Sequence, residues 1–404
     1  MRPRRWAVLL GPALALALCT PGQASSVPAT TPVPAAARPQ VVTWAASADR
    51  TGDAVADRSH RLVVRTSAGG RGLRIRLSNA FGDRPVTFGA AYAGIPAHGA
   101  ALVPGSNRRL TFGGSRSVTL APGDVRYSDP LPGAVKARSS LAISLYVRDA
   151  GGPATGHGMA LQTSYAAAGD HAAESGADNF GEQTGSWLYL DALTVEASPG
   201  TGAVVTLGDS ITDGWQSSVD RNRRWPDYLA GRLQAAQGSV RGVANEGISG
   251  NKVLADGAGQ SALRRLDRDV LSQAGVRTVV VFEGVNDIKA HSGVTAADLI
   301  AGYREIAARA RAADTCVVGA TVLPFKGWSE WGPAEEAVRK EVNDFIRTGG
   351  LFDAVADFDR ALRSPYDGER LLPTFDGGDH LHPNDKGMQA MADAIDLTSL
   401  ECAD

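Results

Sequence analysis

Ala203-Val204-Val205-Thr206-Leu207-Gly208-Asp209-Ser210-Ile211-Thr212-Asp213-Gly214 decides the fold. A near-continuous apolar run enters a polar turn bounded by glycines. Such a run suits a strand buried on both faces of a parallel sheet, whereas a half-exposed antiparallel strand would alternate. Ligands of parallel sheets bind beyond the carboxyl ends of the strands, which is where Ser210 stands. The glycine lets backbone approach closely, and the N–H groups that follow can face an oxyanion. The same serine equally suits the N-cap of a following helix, so this stretch alone leaves both readings open. It is not the G-x-S-x-G nucleophile elbow, because Thr212 occupies the place of the second glycine.

Downstream the pattern repeats. Residues 225–237 read as a helix, 278–282 as a second buried strand and 296–313 as a helix with Leu299, Tyr303, Ile306 and Ala310 along one face. Residues 316–322 give a third strand and 335–346 another helix. Strands alternating with helices predict a layered α/β domain over 199–404. Its polar segments fall at strand ends and loops: Asn245-Glu246-Gly247-Ile248-Ser249-Gly250-Asn251, Glu283-Gly284-Val285-Asn286-Asp287, and Asp376-Gly377-Gly378-Asp379-His380-Leu381-His382-Pro383-Asn384. Singly, each reads as a turn.

Upstream, 41–198 has a β texture. Arg61-Leu62-Val63-Val64-Arg65-Thr66, Leu73-Arg74-Ile75-Arg76-Leu77 and Leu141 to Val147 are short strands, the last two alternating with period two. Glycine pairs punctuate them, which predicts an all-β, sandwich-like domain. Residues 25–40 are Pro/Ala/Thr/Ser-rich and read as a linker. Residues 1–24 carry Arg2, Arg4 and Arg5, an apolar core and Gly22-Gln23-Ala24, the pattern of a secretory signal peptide. A stable membrane anchor is disfavoured because the apolar run is shorter than a bilayer-spanning helix needs. A lipoprotein reading of Cys19 is disfavoured by the bulky Leu18. The expected location is therefore extracellular. Removal of the three arginines would take the net charge from −2 to about −5, which argues against nucleic acid as a partner. With 3 cysteines the chain is no disulfide-stapled scaffold, though Cys316 and Cys402 would be free to pair after export.

Taken in order, Gly208-Asp209-Ser210, Gly250, Gly284-Val285-Asn286-Asp287 and Asp379-His380-Leu381-His382 resemble the four blocks of the SGNH (GDSL) hydrolases. The preceding β-rich segment resembles, more loosely, the extension of some secreted bacterial members. The resemblance implies a three-layer α/β/α domain with a parallel sheet and ester hydrolysis without a cofactor. It implies Ser210 as nucleophile, His382 as base and Asp379 as the group orienting it. The backbone N–H groups of Ser210 and Gly250 and the side-chain amide of Asn286 are the expected oxyanion donors.

The residues agree with these roles. A serine needs a base within hydrogen-bond reach, and imidazole titrates in the right range. Asp379, three residues before His382, can fold back onto its ring. His380 is the rival base, but it is adjacent to Asp379, and only His382 is followed by the stiffening Pro383. Asp376, Asp379, His380 and His382 could instead ligate zinc, a reading that gives Ser210, Gly250 and Asn286 nothing to do. Asp209 and Asp287 are expected to orient loops. Trp215, Trp225, Trp328 and Trp331 are candidates for a substrate cleft or for core packing. The expected partner is a small-molecule or polysaccharide ester, with short-chain or carbohydrate acyl esters first. Longer acyl chains, or a carbohydrate-binding protein with an inactive hydrolase domain, are the alternatives. A monomer is expected.

Overall fold

The computed structural model describes residues 39–401. Residues 1–24, whose sequence reads as a signal peptide, most of the expected linker and Cys402 lie outside the described residues. Gln40, at the linker's end by sequence, already belongs to the first strand.

The β half runs through β1 (Gln40–Ala45), β2 (Arg58–Arg65), β3 (Gly70–Ser78), β4 (Val86–Gly94), β5 (Ser140–Asp149), β6 (Pro153–His157), β7 (Ser164–Ala168) and β8 (Leu190–Glu196). One antiparallel sheet has β8 between β1 and β3; the other carries β7, β2, β5 and β4 in that order. Leu62, Val64, Ile143 and Leu145 from one sheet meet Ile75, Leu77, Leu193 and Val195 from the other in one core. This is the expected sandwich. The alternation in β3 does not mark a solvent face, however. Arg76 is buried, and its Nε donates to Asp191 at 2.7 Å.

The α/β half contains β9 (Gly202–Gly208), β10 (Val240–Gly247), β11 (Val276–Phe282), β12 (Cys316–Ala320) and β13 (Ala354–Ala356). They form a wholly parallel sheet in the order β10-β9-β11-β12-β13. Neighbouring residues of β9 point to opposite faces. Val205 and Leu207 join Leu299, Tyr303 and Ile306 of α5 (Ala296–Ala312) and Val342 of α6 (Pro333–Thr348) on one side. Val204 joins Trp225 and Leu229 of α2 (Trp225–Ala236) and Met388 of α8 (Asp385–Asp393) on the other. The result is three layers. The chain leaves β9 toward β10 on one side, while β11 lies on the other, so the sheet's switch point is at the carboxyl end of β9.

Packing runs across the boundary at 198/199. Val41, Val42, Ala45 and Ala192 belong to the same apolar cluster as Val205, Leu207 and Ala244. Strand β10 is an edge strand, and the β half covers it. Ser67 accepts from the Val243 N–H at 2.8 Å, and Ala46 bridges to Asn245. Covering an edge in this way satisfies groups that would otherwise recruit another chain. Cys316, at the start of β12, is disulfide-bonded. Among the described residues, no helix is long and apolar enough to cross a membrane.

Candidate active site

Gly208 closes β9, and the chain turns at once into the short helix α1 (Ser210–Asp213), capped by the Asp209 carboxylate accepting from Ile211 N at 2.9 Å. A side chain at Gly208 would meet Thr212 Oγ1 at 2.0 Å and the Phe282 carbonyl at 2.9 Å, so only glycine fits where β9 and β11 end together. The turn holds Ser210 at the switch point, 7% exposed.

His382 reaches it from the loop before α8. Ser210 Oγ lies 2.8 Å from His382 Nε2, and His382 Nδ1 lies 2.7 Å from Asp379 Oδ2. The other oxygen of Asp379 accepts the backbone N–H groups of Leu381 at 3.0 Å and His382 at 2.9 Å. These three contacts fix the carboxylate behind the ring, so Nδ1–H points at Asp379 and Nε2 presents its lone pair to the serine hydroxyl. Burial opposes ionisation of Asp379, but the His382 N–H, the ring and the Leu381 N–H hold it below its ordinary value. Burial is also the main reason His382 is held below the usual histidine value. The charge of Asp379 opposes that shift and the ammonium of Lys289 adds to it.

His380 turns away. Its Nδ1 pairs with Asp376 Oδ2 at 2.6 Å and its side chain is half exposed. Asp376–His380 and Asp379–His382 are thus two separate pairs. Among the described residues no group of three or more His, Cys, Asp or Glu is placed to hold a metal.

Asn286 lies in α4 (Val285–Lys289), directly beyond β11, and Gly250 in the loop beyond β10. Asn286 Nδ2 donates one hydrogen to Asn251 O at 2.9 Å, which orients the amide and leaves its second hydrogen for another acceptor. Gly250 has φ +81°, a left-handed conformation that favours glycine. The Asp287 carboxylate accepts from Val253 N at 2.8 Å and Leu254 N at 3.1 Å, tying the same loop to α4. Asp209 is fully buried among like charges, and burial pushes its carboxyl up to about 7. Asp287 thus holds a loop, as expected, whereas Asp209 caps the helix that Ser210 begins.

Residues 206–390 match the model of the GDSL-like lipase/acylhydrolase family. These residues form a GDSL-like acylhydrolase domain. In fold the chain is similar to an acetylxylan esterase from Geobacillus stearothermophilus, at 21% identity and a TM-score of 0.38, over 49% of this chain and 94% of that one. It is also similar to a GDSL-like lipase from Bacteroides thetaiotaomicron, at 21% identity and a TM-score of 0.35, over 47% of this chain and 84% of that one. No curated protein matches it.

Around the GDSL-like site the tryptophans divide. Trp215 is 46% exposed, with its ring 6.2 Å from that of His382. Trp328 stands edge-on to His382 at 5.8 Å. Trp331 is half-buried against the core, and Trp225 is fully buried against Phe358, so Trp225 is a core residue and not part of a cleft. Three functional neighbours escape sequence reading. Lys289 faces His382, Arg265 spans the strand ends, and His157 reaches in from the β half. Their partners lie far away along the chain, so no local motif announces them.

Proposed function

We propose that the protein is a secreted, monomeric carboxylic ester hydrolase acting on short-chain or carbohydrate acyl esters. The observation that carries this reading is the unbroken relay Ser210 Oγ–His382–Asp379, at 2.8 and 2.7 Å. In the reaction His382, neutral because of its burial, accepts the Ser210 proton as Oγ attacks the ester carbonyl. Asp379 stabilises the imidazolium. The negative oxygen of the tetrahedral intermediate is received by the N–H groups of Ser210 and Gly250 and by the free hydrogen of the Asn286 amide. His382 then gives its proton to the leaving alkoxide, and a water repeats the sequence on the acyl-enzyme. No step needs a cofactor. The exposed Trp215 ring beside His382 favours a carbohydrate substrate, because a flat apolar ring with one wet face suits stacking against a sugar.

Ser210→Ala tests this. Initial rates on an aryl acetate should fall by about 1000-fold or more, with the fold retained. The double variant with His382→Ala should lose little more, because the members of a triad act as a unit. Rates on aryl esters of increasing chain length, beside release of acetate from acetylated polysaccharide, read the substrate class. Substantial activity in Ser210→Ala would remove the assignment.

A further inference from the structure

His157 ends β6, in the β half, yet it points into the seam beneath α1. Its side chain is almost completely buried. Nδ1 lies 3.0 Å from the Ser47 carbonyl oxygen. Nε2 lies 3.1 Å from the Met159 carbonyl oxygen and 3.0 Å from Asp213 Oδ1. Carbonyl oxygens only accept. A neutral ring has one N–H and would leave the lone pair of its other nitrogen against an oxygen. Both nitrogens are satisfied only when both donate, so the ring is an imidazolium paired with the Asp213 carboxylate.

The pair leads to the proposed oxyanion loop. Asp213 Oδ2, the oxygen facing away from His157, accepts both Ser249 N–H at 3.0 Å and Ser249 Oγ–H at 2.9 Å. Ser249 precedes Gly250. Asp213 itself is the last residue of the helix that Ser210 begins. One carboxylate therefore joins the nucleophile's helix to the loop of a proposed oxyanion donor, and a cation from the other half of the molecule holds that carboxylate.

We infer that His157 is a positioning residue for ester hydrolysis, acting through Asp213 and Ser249 on the Gly250 N–H. The inference rests on the reading of Ser210 and Gly250 given above. The surroundings agree with a charged ring. Burial by itself would favour the neutral form, but the charge and hydrogen bond of Asp213, with the carbonyls of Ser47 and Met159, hold His157 above its ordinary value. Of the other charged groups near the pair, Arg224, Glu246 and Arg265 are themselves engaged. Arg224 donates through Nε to the Asp213 carbonyl at 3.1 Å and is paired with Asp227. Glu246 and Arg265 meet beyond Ser47, on its hydroxyl. Arg65 and Arg138 line the same small cavity, of about 50 Å³, as His157 and Asp213.

The test is steady-state kinetics on an aryl acetate with full-length wild type, His157→Gln, Asp213→Asn and the double variant. Wild type and Ser210→Ala in the same assay show separately whether the underlying reading holds. Small displacements of a catalytic group are costly in rate, so each single variant should lower kcat by about tenfold with KM within about twofold. Because the two residues act as one device, the double variant should stay near the single ones; independent effects would multiply to about 100-fold. Wild-type kcat in His157→Gln, or a rise in KM alone, overturns the inference and leaves His157 a structural residue of the seam. If His157→Gln does not fold, Ser249→Ala probes the far end of the relay, removing one hydrogen bond to Asp213 and a 3.4 Å contact with Met159 while leaving His157 in place. A several-fold loss of kcat at constant KM supports the inference, and unchanged kcat overturns it.

Discussion

Lys289 shows how one side chain sets the working range of the proposed base. Its ammonium lies 2.9 Å from Glu330 and 5.4 Å from the centre of the Trp328 ring, which itself stands against His382. A positive charge there disfavours the imidazolium, and burial does so more strongly. With His382 lowered, its neutral form persists to lower pH than in a free histidine. The acid limb of kcat/KM should therefore fall below pH ~6.5. Lys289→Met removes a cation and leaves Glu330 unpaired, and both changes favour the charged ring. The limb should move to higher pH, which a pH–rate profile of the two proteins measures. At this scale the sequence was informative wherever the geometry of the candidate site is local. Ser210 follows its strand, Asp379 precedes His382 by three residues, and Asn286 sits in a four-residue block. Lys289 and His157 were illegible because what they do depends on residues brought near only by the fold.

At the scale of elements, the long apolar strands and the regular helices followed from pattern. Strand β10 did not, because Gly242, Asn245 and Glu246 interrupt its apolar run. The cover explains Gly242 and Glu246, the latter accepting from Ser47 Oγ at 2.8 Å, and helix α1 explains Asn245. A side chain at Gly242 would meet the Val42 carbonyl at 2.3 Å. Asn245 Nδ2 donates to Thr212 O at 2.8 Å. The element that joins the strand ends is α3 (Ala262–Arg265), through its last residue. Arg265 is fully buried and donates to the carbonyls of Gly208 at 3.1 Å and Glu246 at 2.7 Å, to Asn251 Oδ1 at 3.0 Å and to Glu283 Oε1 at 3.3 Å. It thus ties the ends of β9, β10 and β11, from which the three motif loops depart. Arg265→Met keeps the volume but strands the buried Glu283 and leaves Asp269 to Arg268 alone. Removing one partner of a buried ion pair costs about 3–5 kcal/mol. Urea unfolding should show a loss of that order, and a loss below about 1 kcal/mol would mean that the carboxylates are accommodated without the guanidinium.

For the whole molecule, the change of texture near residue 198 is a change of architecture, while the described residues 39–401 pack as one compact unit. Apolar pattern within a strand reports that a face is buried, not what covers it, so the seam was not legible in advance. Its composition carries a prediction. A fragment beginning at Ala203 would expose the β10 edge and the apolar surface now covered by Val41, Val42 and Ala192. It should aggregate or melt without a cooperative transition, whereas the chain from Pro39 onward should melt in one step. Light scattering and calorimetry of the two proteins compare them directly.

Strand β1 has a consequence for synthesis. Gln40 is hydrogen-bonded to Thr194, 154 residues on, and Ser47, just beyond the strand, to Arg265, 218 residues on. A growing chain releases this strand early and supplies its neighbours late. Ser67 and Ala68 can hold Thr43 early, but nearly half of the polypeptide must emerge before the strand that pairs with β1 exists, so the first strand made waits for its sheet neighbour.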